Sequence, residues 1–252
     1  MIDTHIHADT RSSEDFEKMF LGGINTAISC CYYPYKIANE SILINHMMRI
    51  LNFDKKRCEK YGLDIKIALG IHPTNRLKPN KKIFETLKQL IDEKKIIAIG
   101  EIGLEDLTND EIAIFKKQLD LAEETKTKVI IHTPRKNKLN VIKKIKSIVL
   151  ESIDPKLVVI DHINQKVIEE VIDDNFTLGL TVQPQKMDVE EGIAILNSYG
   201  FDNFLLNSDI SNKPSDPLSV PKTIRTMEKL DFKKKNINKI AFENAKKFFN
   251  IY

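Results

Sequence analysis

Three cysteines, no tryptophan and no long apolar run set the first limits on this 252-residue chain. Cys30, Cys31 and Cys58 are too few and too irregularly spaced for a disulfide framework or a zinc ribbon, so a reducing, cytoplasmic setting is expected. No apolar stretch approaches the roughly 18 residues that a membrane span needs, and no membrane association is expected. An excess of either charge is also missing: 39 basic against 36 acidic residues leave a formal net charge of +3. That balance argues against binding nucleic acid or lipid through bulk charge, so any anion must be recognised locally. No glycine-rich phosphate loop follows the first apolar run, which argues against an open nucleotide-binding sheet. That run begins at Ile2 and leaves no room for a signal peptide. With 42% hydrophobic and 30% charged residues, the composition suits a globular domain with a sizeable core.

What is present is a series of eight short runs rich in Ile and Val: Ile2–His7, Ile24–Cys30, Ile65–Ile71, Ile96–Glu101, Lys128–His132, Leu157–His162, Phe176–Val182 and Phe204–Asp209. Their nearly continuous hydrophobicity is that of strands buried on both faces. Helical spacing fills most of the intervals, over Pro34–Lys60, Lys81–Asp92, Asp110–Glu124, Lys136–Leu150, Gln165–Asp173, Asp188–Asn197 and Ser219–Lys229, with a closing helix over Asn236–Phe249. Alternation of this kind predicts an α/β fold, a (β/α)8 TIM barrel, as one domain over residues 1–252. Nothing in the pattern calls for an obligate protein partner.

The first run carries the first chemistry. Asp3, His5 and His7 alternate with Ile2, Thr4 and Ile6, so on a strand both imidazoles share one face. Two such imidazoles can grip one metal ion, or can be idle on a surface strand. The other runs decide between these. Of six histidines, five lie at or just beyond a run's C-terminal end: His5, His7, His72, His132 and His162. Glu101 and Asp209 end two more runs. A barrel brings all such ends to one mouth, where active sites sit. His46 alone falls inside a helical segment and is read as a surface or packing residue.

The six residues His5, His7, Glu101, His132, His162 and Asp209 are too many for one tetrahedral ion, so two divalent ions are expected. Glu101, with two oxygens and a central place in strand order, is the natural bridge. His5, His7 and Asp209 come from the first and last strands, neighbours in a closed barrel, and would hold one ion. His132 and His162, on adjacent strands, would hold the other. Zn, Mn, Mg, Ni and Co all remain open. Two such ions activate a water for hydrolysis, with Asp209 placed to orient or deprotonate it.

Asp3-Thr4-His5-Ile6-His7, Gly70-Ile71-His72-Pro73, Gly100-Glu101-Ile102-Gly103-Leu104, Ile131-His132, Asp161-His162 and Ser208-Asp209 occur in the order of the TatD-related metal-dependent hydrolases. The Phe115-x-x-Gln118-Leu119-x-Leu121-Ala122 helix and the Asn244-Ala245-x-x-Phe248-Phe249 stretch also resemble that family. The resemblance covers essentially the whole chain and extends to the archaeal branch. It implies a barrel of the amidohydrolase type and a metal-dependent deoxyribonuclease of the 3′→5′ exonuclease kind. It also implies the same six ligands, with His72 behind the ligands or against the substrate. Three departures fall on the substrate side. Asn207 stands where the family usually has Glu, Glu105 where it usually has Asp, and Arg135 lies one place later than the usual arginine.

Cations and amides on the loops are the remaining candidates. Arg135, Lys136, Lys138, Arg11, Arg76 and Lys213 follow strands and would suit a phosphate. With 39 basic residues, some fall on every loop regardless. Gln183 and Gln185 follow the seventh run, and Tyr32, Tyr33 and Tyr35 follow the second, placed to stack a base or to pack the mouth. DNA or another phosphoester is the expected substrate. The alternatives are a hydrolase of a small amide, ester or ring, and a barrel that holds metal without turnover.

Overall fold

The eight apolar runs become eight parallel strands: β1 (Ile2–Ile6), β2 (Thr26–Cys30), β3 (Asp64–Ala68), β4 (Ala98–Gly103), β5 (Lys128–His132), β6 (Val158–Ile160), β7 (Thr177–Thr181) and β8 (Phe204–Asn207). They pair in sequence order from β1 to β8, as a (β/α)8 barrel requires. The structure, a computed structural model, describes residues 1–35, 37–75, 77 and 81–251.

The ring closes through a thin seam between β8 and β1. Ile6 and Ile210 form an isolated parallel bridge. His7 N donates to Ile210 O, and Asp209 N to His5 O, each at 2.9 Å. Side chains supplement the backbone here. Thr4 Oγ1 donates to Leu206 O at 3.1 Å. Ser208 donates from N and Oγ to the two oxygens of the buried Asp3, at 3.1 and 2.5 Å.

Inside the barrel, Ile2, Ile28, Ala68, Ala98, Ile130, Val159 and Leu205 form an apolar layer that Phe248, Phe249 and Ile251 cover from below. The closing helical segment is therefore the floor of the barrel, and the polar chemistry is confined to the opposite end. A second, larger core lies between the strands and the helices outside them.

Those helices are α1 (Ser13–Leu21), α2 (Glu40–Arg49), α3 (Lys55–Glu59), α4 (Lys81–Asp92), α5 (Asn109–Thr125), α6 (Lys138–Ser152), α7 (Val189–Tyr199), α8 (Ser219–Lys229) and α9 (Lys234–Asn238), and α10 (Asn244–Phe249) is the helix of the floor. One wide turn, Ile50–Asp54, joins α2 to α3, and another, Lys239–Glu243, joins α9 to α10. The expected long helix from Pro34 starts instead at Glu40, where the Asn39 side chain accepts from Ile42 N at 3.2 Å and caps it. The expected helix Gln165–Asp173 is absent, and only one 3₁₀ turn, Ile168–Glu170, forms there. Its β-branched residues Val167, Ile168, Val171 and Ile172 favour helix weakly. Asp173 and Asp174 would also oppose the dipole at its C-terminal end. α1 is a helix that the sequence pattern does not predict.

One irregularity matters for function. Gly100 pairs with Ile130 and Ile102 with Ile131, so Glu101 is an extra residue on β4, a β-bulge. Ile99 and Ile102 pack in the outer core, while Glu101 faces the centre of the mouth. Glu101 thus lies within β4 rather than ending it, and the bulge aims its carboxylate inward. β1 has a comparable register shift between Asp3 and Ile6.

Candidate metal centre

Glu101 is the hub of the mouth. Its Oε1 lies 2.7 Å from His132 Nδ1 and 3.0 Å from His162 Nε2. Its Oε2 lies 3.4 Å from His5 Nε2 and 3.6 Å from both His7 Nε2 and His72 Nε2. All five mouth histidines therefore converge on one carboxylate that is only 2% exposed. Burial alone would raise the pKa of Glu101, but the surrounding imidazoles, His5 and His132 foremost, hold it well below the usual carboxylate range.

Each imidazole is oriented from behind. His5 Nδ1–H donates to Asp161 Oδ2 at 2.6 Å, and Asp161 in turn accepts from Asn207 Nδ2 at 2.9 Å. His7 Nδ1–H donates to Cys30 O at 3.1 Å. His162 Nδ1 shares a hydrogen bond with the Thr181 hydroxyl at 2.7 Å. Glu105 Oε2 stands 3.0 Å from His132 Nε2. Partners of this kind fix the ring and the tautomer of a metal-binding histidine.

His72 differs. Its Nδ1 accepts the Thr74 backbone N–H at 3.1 Å, so the neutral ring carries its proton on Nε2, facing the centre. Burial keeps the ring neutral by holding its pKa well below the ordinary histidine value. His72 therefore presents a donor where the other rings can present a lone pair.

His5 Nε2 tests whether the site suits a metal. It is buried and has no hydrogen-bond partner among the described residues. Such an orphaned lone pair is costly unless something fills the position. Two sets of metal-binding atoms, each within 4.8 Å of one another, include it: His5–His7–Asp209 and His5–Glu101–His162. The donor set is imidazole and carboxylate, which suits a divalent ion. His162 and Asp209 both sit in left-handed backbone, at φ of 60° and 44°. For non-glycine residues this is strain, of the kind found at functional sites.

Asp209 is shared between two partners. Oδ1 lies 3.1 Å from His7 Nε2, and Oδ2 is paired with Lys186. Burial would raise its pKa, but Lys186 and the nearby imidazoles hold it well below the carboxylate range. Lys186 carried no signal in the sequence, being one lysine among many. Asp161 stood beside His162 in a recognisable pair, but nothing revealed that it supports His5.

The remaining candidates separate once placed. His72, Arg135, Lys136, Lys138, Gln183, Gln185, Lys213 and Tyr32 all line a cavity of about 750 Å³ above the histidines. Lys138 lines it with its ammonium turned back to Thr133 Oγ1 and Pro134 O, at 2.6 and 3.0 Å, tying down its own loop. Burial, helped by Lys186, brings its pKa down to about 7. Gln183 donates to Ser208 O at 3.2 Å and to Asp209 O, so it braces the backbone under Asp209. Arg11 instead pairs with Asp15 and donates to Ser211 O at 2.7 Å. Arg76 lies outside the described residues. Tyr33 packs against Tyr35 and His46.

His46 is a buried anchor rather than a surface residue. Its Nε2–H donates to Tyr32 O at 3.2 Å, and Asp9 Oδ2 lies 3.5 Å away. Burial pushes the imidazole down to about 4 and pushes Asp9 up to about 6. A depressed histidine contributes stability above pH 6.5 that is lost as pH falls toward 4, while Asp9 acts in the opposite sense between pH 6 and 3.8. Replacing His46 with Asn removes the first contribution. Compared with the unmodified chain, H46N is therefore expected to gain stability on acidification by at most about 3 kcal/mol. Urea melts of both proteins across that range check it, and parallel curves would refute it.

Comparison with known proteins agrees with this geometry. The sequence pattern of the family described as TatD related DNase matches residues 2–250. A relative from Methanocaldococcus jannaschii, described as an uncharacterized metal-dependent hydrolase, is 38% identical over 253 residues and covers all of both chains. The crystal structure of a TatD-like protein from Archaeoglobus fulgidus superposes with a TM-score of 0.83 at 30% identity, covering 100% of each chain. A phosphotriesterase homology protein from Escherichia coli, solved with phosphate in its active site, shares the fold at a TM-score of 0.69, with 14% identity and 98% coverage of both chains. A family match from residue 2 to residue 250, and a full-length relative at 38% identity, fall on the same barrel whose mouth gathers these donors, so the chain belongs to the TatD related DNase family and is a metal-dependent hydrolase.

Proposed function

We propose that this hydrolase is a two-metal phosphodiesterase that removes nucleotides from DNA ends, with 3′→5′ polarity, in a reducing cytoplasm. The convergence of five imidazoles on Glu101, beneath a cavity large enough for a nucleotide, carries the proposal. His5, His7 and Asp209 Oδ1 would hold one ion, and His132 Nδ1 and His162 Nε2 the other, with Glu101 between them. Bound there, such ions lower the pKa of water and neutralise charge on an attacked phosphoryl oxygen.

The chain's own groups do the rest. Asp161, Cys30 O, Thr181 and Glu105 keep the imidazole lone pairs aimed at the centre. His72 Nε2–H donates a hydrogen bond to a non-bridging oxygen of the phosphate. Asp209 orients the attacking water, with Lys186 fixing its other oxygen. Arg135, steadied by the Gln183 side-chain oxygen at 3.4 Å, faces the substrate's anionic part. DNA is in this scheme the substrate and the only partner required. Three buried free thiols, Cys30, Cys31 and Cys58, suit a reducing compartment, and no helix among the described residues is long and apolar enough to cross a membrane.

The test is end-labelled single-stranded DNA incubated with the protein and added Mn²⁺, Mg²⁺ or Zn²⁺. Mononucleotides are expected to be released, with His132→Ala and Asp209→Ala losing the activity. Intact oligonucleotides in the presence of metal-replete protein would refute the nuclease and leave hydrolysis of a small ester or amide.

A further inference from the structure

The cavity is lined unevenly, and the strand order says how. Its cations come from the loops after β5, β7 and β8: Arg135, Lys136, Lys186 and Lys213. Lys138, on the same side, has its ammonium engaged by its own loop. The loops after β2 and β4 contribute Tyr32 and Glu105. In a closed eight-stranded ring ordered β1 to β8, Tyr32 stands across the histidines from the β5 and β7 loops, while Glu105 follows the strand paired with β5 and bounds the cationic side.

The aromatic side is firmly mounted. The Tyr32 ring packs 5.3 Å from His7 and 4.9 Å from His72, centroid to centroid. Its carbonyl is held by His46 Nε2 at 3.2 Å. The next residue, Tyr33, is clamped by Asn75, which accepts from Tyr33 N at 3.0 Å and donates to Tyr33 O at 2.7 Å. Tyr32 thus offers a fixed aromatic surface beside the reacting centre. Glu105 uses Oε2 on His132. A chain of phosphates leaving past the β4 loop would meet its carboxylate, whereas one leaving over the other side meets Arg135, Lys136 and Lys213, the Lys186 ammonium being paired with Asp209.

We propose that a single-stranded polynucleotide lies across the mouth in one direction only, a proposal that rests on the phosphodiesterase reading. The continuing phosphate chain runs over the β5, β7 and β8 loops, along Lys136 and Lys213. The terminal nucleoside lies on the other side, its base against Tyr32. The β2 loop is then a subsite for the end base, and the cationic rim a subsite for the phosphates that follow.

The experiment compares a decanucleotide, a dinucleotide, and a decanucleotide whose terminal residue is abasic. In a Lys136→Ala/Lys213→Ala variant, KM for the decamer is expected to rise about ten-fold more than KM for the dinucleotide. The slope of log KM against log salt should flatten by about 1.4, because each of the two phosphates left without its lysine lowers it by ~0.7. In Tyr32→Ala, KM should rise about ten-fold for ends that carry a base and stay level for the abasic end. Tyr32→Leu, which keeps apolar volume under the loop, should behave likewise and guards against a folding artefact. Equal losses on both lengths, or a Tyr32 effect that persists on the abasic end, would overturn the orientation while leaving the nuclease standing. An unmodified protein inert on all three oligonucleotides would remove both proposals.

Discussion

Glu101→Gln is expected to reduce turnover by about a thousand-fold while keeping the shape of the side chain, at a cost in stability because the surrounding imidazoles lose their buried charge partner. Glutamine keeps the volume of glutamate but has one acceptor oxygen where the site uses two. On one side, His132 Nδ1 and His162 Nε2 would face either that oxygen or an NH₂ group, and on the other, His5, His7 and His72 would face the remaining atom. An amide nitrogen has no lone pair for a cation, so one of the two sides loses its acceptor whichever way the amide turns. The buried charge that offsets the surrounding imidazoles also disappears. Metal content after dialysis, measured by plasma mass spectrometry, should fall by at least one equivalent, while the far-ultraviolet circular dichroism stays the same. An E101Q protein that keeps its full metal content and turns over within ten-fold of the original would refute the central role of Glu101.

The second large effect is expected from a residue without functional groups. Gly179 lies on β7, and a Cβ built on it would collide with Asp161, coming 2.6 Å from Cγ and closer still to Oδ1. Asp161 is 1% exposed and has no room to retreat. Its other oxygen receives the Nδ1 proton of His5. Gly179→Ala should therefore displace the carboxylate that orients His5. Overpacking of this kind costs about 1–3 kcal/mol, and losing a ligand's orienting partner costs roughly 10–100-fold in metal affinity. The double variant Gly179→Ala/Asp161→Ala separates the two effects. It should regain part of the melting temperature, because the clash is gone while His5 and Asn207 lose their acceptor, and still bind metal weakly, because His5 remains unsupported. A single G179A variant with unchanged melting temperature and metal affinity would show that the strand shifts to accommodate the methyl group.

The ligand-type residues were visible in the sequence because histidine is scarce and the barrel rule converts strand ends into one location. His5, His7, His132 and His162 follow directly from that conversion. Glu101 is only partly legible in the sequence: it lies inside β4 and reaches the centre through a bulge. A bulge depends on the pairing of two strands and leaves no mark on either alone. Lys186 was hidden by abundance, and Gly179 by having no side chain, since its requirement comes from Asp161 on the neighbouring strand. The missing helix after β6 shows the same limit from the other direction. Its apolar residues Val167, Ile168 and Val171 are buried at helix-like intervals, but a short connection of β-branched and acidic residues buries them without a helix.

The thin seam between β8 and β1 has a thermodynamic consequence. His5 and His7 lie on one side of it and Asp209 on the other, about two hundred positions apart in the chain, and few backbone bonds join the two edges there. An ion gripped by these three would act as a clasp on the ring, and its binding free energy would add directly to the free energy of closure. The unfolding temperature should then climb with the logarithm of free metal concentration. Chelation would first loosen the junction where the sheet meets itself, well before the floor beneath it gives way.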